Sequence, residues 1–306
     1  MSGPLSMRFS TQAQVDIRRI STQLTDLQRQ VASGAAANDL LGFAGASSRL
    51  LSAQSSKANA EARASVISQL QARLGVQGAA LGQAADAAGL LAQSIREAVS
   101  ANDGRGIGAE LEMSFASVVS ALNESWNGQP MFAGERQGSA PIRINTLDEL
   151  QTVSPDAVFD EAARHQTLDL GTGTPIVIAK KASELAGGMF DTLRDLANLL
   201  DAAGGAIGQP IDAADRTALL NFASALDAEA AKFTTEEGRA GQLQSRFEAE
   251  STRLQIQSDL LTKEIGEQAD ADLAAVSVQM SALLVQYEAA AKTFSELSKL
   301  NLLQYL

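Results

Sequence analysis

Proline divides this chain more sharply than any other residue. The six prolines are Pro4, Pro130, Pro141, Pro155, Pro175 and Pro210. Residues 5–129 contain none, and neither do residues 211–306. Proline lacks an amide donor and clashes with the preceding turn, so helix interiors exclude it. The two long proline-free flanks are rich in Ala, Leu, Gln, Glu and Arg, all good helix formers. They bracket a proline-punctuated middle. The expected fold is therefore mainly α: a long antiparallel helical bundle or coiled coil of N- and C-terminal helices, with a small β-rich insertion in the middle.

Apolar periodicity at both ends supports that expectation. Ile17, Ile20, Leu24, Leu27 and Val31 recur at spacings of 3, 4, 3 and 4. Leu273, Val276, Met280, Leu283, Tyr287, Ala290, Phe294 and Leu297 keep the same rhythm near the other end. Each set forms a narrow stripe on one helix face, and a narrow stripe requires a partner helix. The strict 3-4 rhythm favours a coiled-coil contact over the core-facing stripe of an ordinary bundle. With Leu302 and Leu303 these residues make up the candidate assembly interface. Isolated helices of this kind are marginal in water, so the ends are expected to order on assembly.

Between the seams, residues from about 45 to 101 repeat Leu and Ile at helical intervals. "NDGRG" at 102–106 is a turn cluster, and a further helix over about 108–125 stops near "WNGQP". Residues 140–182 change character. "APIRINTLDEL", "DAVFDEA", "HQTLDLG" and "TPIVIAKK" are short β-prone runs separated by Gly, Pro and Asp, a pattern that suits hairpins. Helix returns at about 183–203, breaks at "GGAIGQP" and runs long from about 212.

"LDLGTGT" at 168–174 has the look of a nucleotide-cofactor loop. Such a loop needs a parallel strand before it and a helix directly after it to receive the ligand. Here Pro175 and the β-branched run "IVIA" follow. The stretch reads as strand–turn–strand, leaving a cofactor-dependent enzyme a remote alternative. "GRGIG" at 104–108 has no preceding strand and reads as an inter-helix loop. His165 is the single histidine, so it cannot build a histidine metal site, and no serine–carboxylate arrangement beside it suggests a triad. It reads as a loop residue. Glu236–Glu237 and Asp270/Asp272 read as a solvated face or a helix start. Trp126 and Phe132 read as a small hydrophobic plug. No catalytic, cofactor or metal site is expected, and the chain is not expected to be an enzyme.

Composition narrows the partners. The chain has 306 residues, is 45% hydrophobic and 20% charged, and carries a net charge of −12. Such a surface repels phosphate backbones, which argues against nucleic acid. There is no cysteine, so disulfides, thiolate zinc sites and cysteine nucleophiles are excluded. No window offers the roughly 18 apolar residues of a membrane helix, and the N-terminus has no apolar run of the secretory kind. By ordinary routes this chain would stay in the cytosol.

Five segments carry a resemblance: "MRFSTQAQ" at 7–14, "LTDLQRQVASG" at 24–34, "GQPMFAG" at 128–134, "GRAGQLQSRFE" at 238–248 and "LSKLNLLQYL" at 297–306. Together, in this order, they resemble flagellin-class proteins, and most closely the hook-associated protein 3 family of the bacterial flagellar hook–filament junction. The Phe132-Ala133-Gly134 element and the terminal "LLQYL" favour the junction family over filament flagellin. "WNGQPM" is similar to the "FNG" element of flagellins and keeps flagellin as the alternative. The family start matches Met7. Where it carries a paired-aspartate segment after Ser33-Gly34, this chain has "AAANDLLGFAG", with Asp39 as the one aspartate.

The resemblance implies a structural protein, extracellular in the flagellum and exported without a cleavable signal peptide through the flagellar type III apparatus. It implies homo-oligomerisation in a helical or ring array, contact with other hook-associated protein and flagellin subunits, and an export chaperone, without nucleic acid or membrane insertion. The implied domains are 1–44 as the N-terminal helix of an inner assembly domain and 269–306 as its C-terminal helix. Residues 45–134 and 183–268 form an outer bundle, and 135–182 the β-rich insertion. Residues 1–40 hold four Arg against three Asp, and 270–306 two Lys against four acids. Nearly neutral ends can pack side by side while an acidic middle faces water. A generic intracellular coiled-coil scaffold is a further, weaker alternative.

Overall fold

The computed structural model describes residues 3–37, 47–168 and 175–302, with side chains over 11–37, 47–168 and 175–296. Among these residues the fold is mainly α. Helices α1 (Gly3–Ser33), α2 (Ser47–Ala101) and α3 (Ile107–Leu122) come first. A short hairpin β1 (Ser125–Trp126) and β2 (Gln129–Pro130) follows, then α4 (Leu147–Thr152), a 3-10 turn at Pro155–Ala157, and a second hairpin β3 (Thr167–Leu168) and β4 (Ile176–Val177). Helices α5 (Ala182–Ala202), α6 (Ala213–Ala269) and α7 (Leu273–Leu302) complete the order. The four long helices α1, α2, α6 and α7 lie in the flanks, where proline placement expects them, with Pro4 in the first turn of α1.

The chain forms two compact units. One comprises Met1–Ala64 with Thr252–Leu306, the other Ser65–Ser251. The expected divisions at 44/45 and 268/269 follow helix ends. The observed ones fall inside α2 and α6, because both helices continue without a break from one unit into the other.

Unit 2 holds one contiguous core. Leu91, Ile95, Leu111, Phe115, Leu122, Phe132, Phe190, Leu193, Leu226 and Phe233 are buried there, so α2, α3, α5 and α6 all contribute. Phe190 meets Phe115 and Phe159 edge-on, with ring centroids 6.0 and 5.7 Å apart. Here α2 and α6 run antiparallel: Arg96 pairs with Asp227, and Gly82 leaves room for the Glu237 carboxylate. The Asn127-Gly128 turn of the first hairpin has both residues at positive φ, as a two-residue hairpin of the I′ kind requires. It delivers Met131 and Phe132 into the core, and Trp126 packs against its edge, the hydrophobic plug expected of this segment.

The middle segment is less β-rich than its composition suggests. Antiparallel β3–β4 pairs Thr167 with Val177 and Leu168 with Ile176, the two paired strands expected here. "DAVFDEA" contributes only an isolated bridge between Ile142 and Phe159. "TLDEL" is a correction, since it forms α4. Thr146 accepts a hydrogen bond from the Glu149 amide at 3.3 Å, while Glu149 Oε2 accepts one from the Asn145 amide at 2.7 Å. A capping arrangement of this type nucleates a helix that β propensity alone misses. The glycines of "GTGT" lie outside the described residues.

In unit 1, α1 ends at Gly34, whose φ of +71° suits a helix C-terminus and whose amide donates to the Gln30 carbonyl at 2.8 Å. Asp272 begins α7 by accepting from the Ala274 and Ala275 amides, the helix-start role expected of it. Between them the Ala36 amide donates to the Ala269 carbonyl at 2.7 Å, and the Ala271 amide to the Gly34 carbonyl at 2.8 Å. The end of α1 is thereby tied to the start of α7, and the two helices pack antiparallel.

Candidate assembly surface

The two sequence seams lie on the helices that pair in unit 1. On α1, Ile20 and Leu27 are buried and Ile17 and Leu24 are half-buried, while Val31 is exposed. On α7, Val276 is buried, and Met280, Leu283, Ala290 and Phe294 are half-buried. Leu273 and Tyr287 are exposed. The side chains of Leu297 and Leu302, and the whole of Leu303, lie outside the described residues. The stripes thus find their first partner inside the same chain, α1 against α7, rather than waiting for a second copy. Val31 and Leu273 lie near the end of α1 and at the start of α7, close to the point where the two helices are tied together.

This pair leaves much apolar surface uncovered. Among the described residues, ten of the fourteen exposed large hydrophobic side chains belong to unit 1: Val15, Val31, Leu51, Ile256, Leu260, Leu273, Val278, Leu284, Val285 and Tyr287. Of the buried hydrophobic residues, only Ile20, Leu27, Leu50, Ala53, Ala60, Leu254 and Val276 are in that unit. The proportion is the reverse of what a self-sufficient core shows, and so many exposed apolar side chains on one unit point to an interaction site. One further sequence signal accompanies it. From Leu273 to Tyr287 there is no charged residue on any face of α7. A helix without charge all round belongs in a buried place, yet α1 covers one side only. Periodicity reasoning picks out the covered stripe and misses the exposed one, although the charge-free run is legible in the sequence.

Charge is partitioned in the same way. Unit 2 holds 13 Lys and Arg against 25 Asp and Glu, which is the full −12. The remainder, 24 less 13 and 36 less 25, is 11 against 11, so unit 1 is neutral. Copies of unit 1 can approach one another without net repulsion, and unit 2 keeps the chain in water.

The polar groups of unit 2 pair with one another. Asp160 takes Arg136 and Arg143, and Glu236 takes Lys180 and Arg239. His165 hydrogen-bonds Glu184 at 2.9 Å near the start of α5, and Lys181 bridges Glu161 and Glu184. Burial opposes the Glu184 charge, but the His165 hydrogen bond and the Lys181 charge outweigh it and hold the carboxyl below its ordinary value. These are links between β3–β4, the preceding loop and the helices, with no nucleophile–base geometry among them. No group of three or more His, Asp or Glu side chains that could hold a metal occurs among the described residues, and no described helix is long and apolar enough to cross a membrane.

Residues 223–306 match the bacterial flagellin C-terminal helical region. That region covers most of α6 and all of α7. No curated protein sequence matches the chain. Among solved structures, the chain is similar to a protein assigned as a flagellar hook-associated protein from Vibrio parahaemolyticus. The TM-score is 0.58 at 16% identity, over 76% of this chain and 99% of that one. A second solved structure, Bacillus cereus FlgL, aligns at 15% identity over 72% of this chain and 97% of its own, with a TM-score of 0.43. The C-terminal helical region is thus similar to that of bacterial flagellins, and the fold is similar to that of the Vibrio parahaemolyticus protein.

Proposed function

We propose that this chain is a structural protein of the bacterial flagellum that joins hook to filament, and that it does so by helical self-assembly through unit 1. The observation that carries the reading is the flagellin-type C-terminal helix α7, paired with α1 in a neutral unit that exposes most of the large apolar side chains. Such a unit gains stability when copies or related subunits cover it. In this reading neighbouring hook-associated protein and flagellin subunits cap the array, and an export chaperone shields the apolar termini beforehand. Export runs unfolded through the flagellar type III apparatus, a route compatible with a chain that has no cysteine to cross-link. The helices serve as building material, and no step of catalysis is assigned to them.

Filament flagellin is the second reading, favoured by the flagellin description of residues 223–306. Deleting the gene and examining cells by electron microscopy separates the two. Hooks without attached filaments, with flagellin shed into the medium, support the junction role. Loss of the filament protein itself supports flagellin, and unchanged flagella overturn both.

A further inference from the structure

Two long helices run through unit 2, and one stretch of them lies off its core. The contiguous core begins at Ala80 on α2 and ends at Phe233 on α6. Beyond it, over residues 73–79 and 238–244, the buried apolar side chains are Leu74, Ala240 and Leu243, none of which belongs to that core. Four glycines occupy the same stretch, Gly75 and Gly78 on α2 and Gly238 and Gly241 on α6. The helices are antiparallel with Gly82 beside Glu237, so Gly78 falls level with Gly241. A Cβ at any of the four would meet no atom within 4 Å. Close packing therefore has no need of glycine here, and each one weakens its helix about fivefold relative to alanine. Two buried polar atoms beside them, Arg73 Nε and Gln77 Oε1, have no hydrogen-bond partner among the described residues, which weakens the stretch further.

The same stretch carries the β3–β4 hairpin. Arg73 donates to the Gln166 side chain, and Gln77 Nε2 donates to the Ile178 carbonyl at 3.3 Å. From α6, Arg239 donates to the Val177 carbonyl at 3.3 Å, and Glu236 pairs with Lys180. We infer that residues 73–79 of α2 and 238–244 of α6 form a soft joint that opens as one unit, and that its opening unfastens the β3–β4 hairpin while the core of unit 2 stays closed. Few buried apolar contacts and weakened helical turns are what a low-energy local opening requires. The polar links add the coupling, because Arg73, Gln77 and Arg239 reach the hairpin only while their own helical turns are in place. The joint is a property of unit 2 and does not depend on the flagellar role proposed above.

Hydrogen exchange of the purified full chain, read by mass spectrometry, tests the joint. In the unsubstituted chain, amides over 73–79 and 238–244 should exchange at least about tenfold faster than core amides over 88–95 and 219–226. A variant combining Gly75→Ala, Gly78→Ala, Gly238→Ala and Gly241→Ala should slow both helical segments at least about tenfold, two substitutions of about fivefold falling on each helix. It should slow the 176–179 segment with them, where the Ile178 amide donates to the Gln166 carbonyl at 3.1 Å, and leave the core unchanged. Gly89→Ala is the control. Gly89 also lies in α2 with nothing within 4 Å of an added Cβ, but beside the core residues Ala88 and Leu91. This variant should leave exchange at 176–179 unchanged. Exchange of the joint as slow as that of the core in the unsubstituted chain overturns the inference. So does slowing of the two helical segments without the hairpin, or equal slowing of the hairpin by Gly89→Ala.

Discussion

The pairing of α1 with α7 should fail before the rest of the molecule, and Ile20→Ala is the sharpest way to show it. Ile20, Leu27 and Val276 are the three buried apolar side chains among the described residues of these two helices. Truncating one of the three removes its transfer free energy and leaves a partial cavity, about 2–3 kcal/mol at a two-helix contact able to collapse somewhat. Amide protection along α1 and α7 should then fall by about 30-fold or more, since each 1.4 kcal/mol is a factor of ten. Unit 2 draws its core from residues 80–233, a cluster that does not include Ile20. Its protection should be unchanged. Hydrogen exchange read by mass spectrometry resolves both regions in one experiment. Circular dichroism bounds the loss, because α1 and α7 supply 31 and 30 helical residues respectively. Unchanged protection along α1 would show that Ile20 does not hold the pair. A matching drop at Leu193 and Phe190 would show that the units unfold as one, and the reasoning would be wrong.

Other substitutions probe other links. Gly134→Ala should lower the melting temperature of unit 2 by the equivalent of about 2 kcal/mol or more, because Gly134 sits at φ +65° and a Cβ there would collide with the Arg164 carbonyl oxygen. The Asp103 carboxyl is held down to about 2 by the hydrogen bond from the Arg105 side chain. A depressed folded value means a contribution present above about pH 4, the unfolded value, and lost as pH falls towards 2. An NMR titration should place Asp103 well below other exposed aspartates, and Asp103→Asn should flatten that part of the acid limb. His165→Ala, and Thr172→Ala in the stretch outside the described residues, should leave swim-plate motility intact. Paralysis from both would put the working surface in the insertion.

Much of the fold was legible because its strongest determinants are local. Proline exclusion marks the flanks, and a 3-4 rhythm marks Ile20, Leu27 and Val276, the positions that the α1–α7 contact buries. Two things were not legible. The short helix α4 depends on the Thr146 hydroxyl accepting from the Glu149 amide and the Glu149 carboxylate accepting from the Asn145 amide, and β-prone neighbours such as Ile142 and Ile144 obscure such a cap. The division of unit 1 from unit 2 falls inside unbroken helices, so no glycine, proline or composition shift marks Ala64 or Ser251. The surface was half legible. Periodicity detects apolar residues that share a face, but cannot say whether that face meets a partner in the same chain or in another copy. Only exposure separates Val276 from Val278, two residues apart on one helix.

That separation bears on how a destabilising change should be interpreted. Leu283→Glu puts a charge on the half-buried stripe facing α1. It removes apolar contacts and forces the carboxylate towards solvent at a cost on the order of 1–3 kcal/mol. A loss of hook–filament joining in this variant would therefore mix two causes, a loosened α1–α7 pair and a missing contact between copies. Glutamate at Val278 or Val285 is free of that ambiguity, because both side chains already stand in water. Secreted Leu283→Glu protein should show faster proteolysis of α1 and α7 together with poor incorporation, measured on medium and on isolated flagella from the same culture. Poor incorporation with wild-type protease resistance would instead place Leu283 at a contact between subunits, and would overturn the reading that its stripe holds α1.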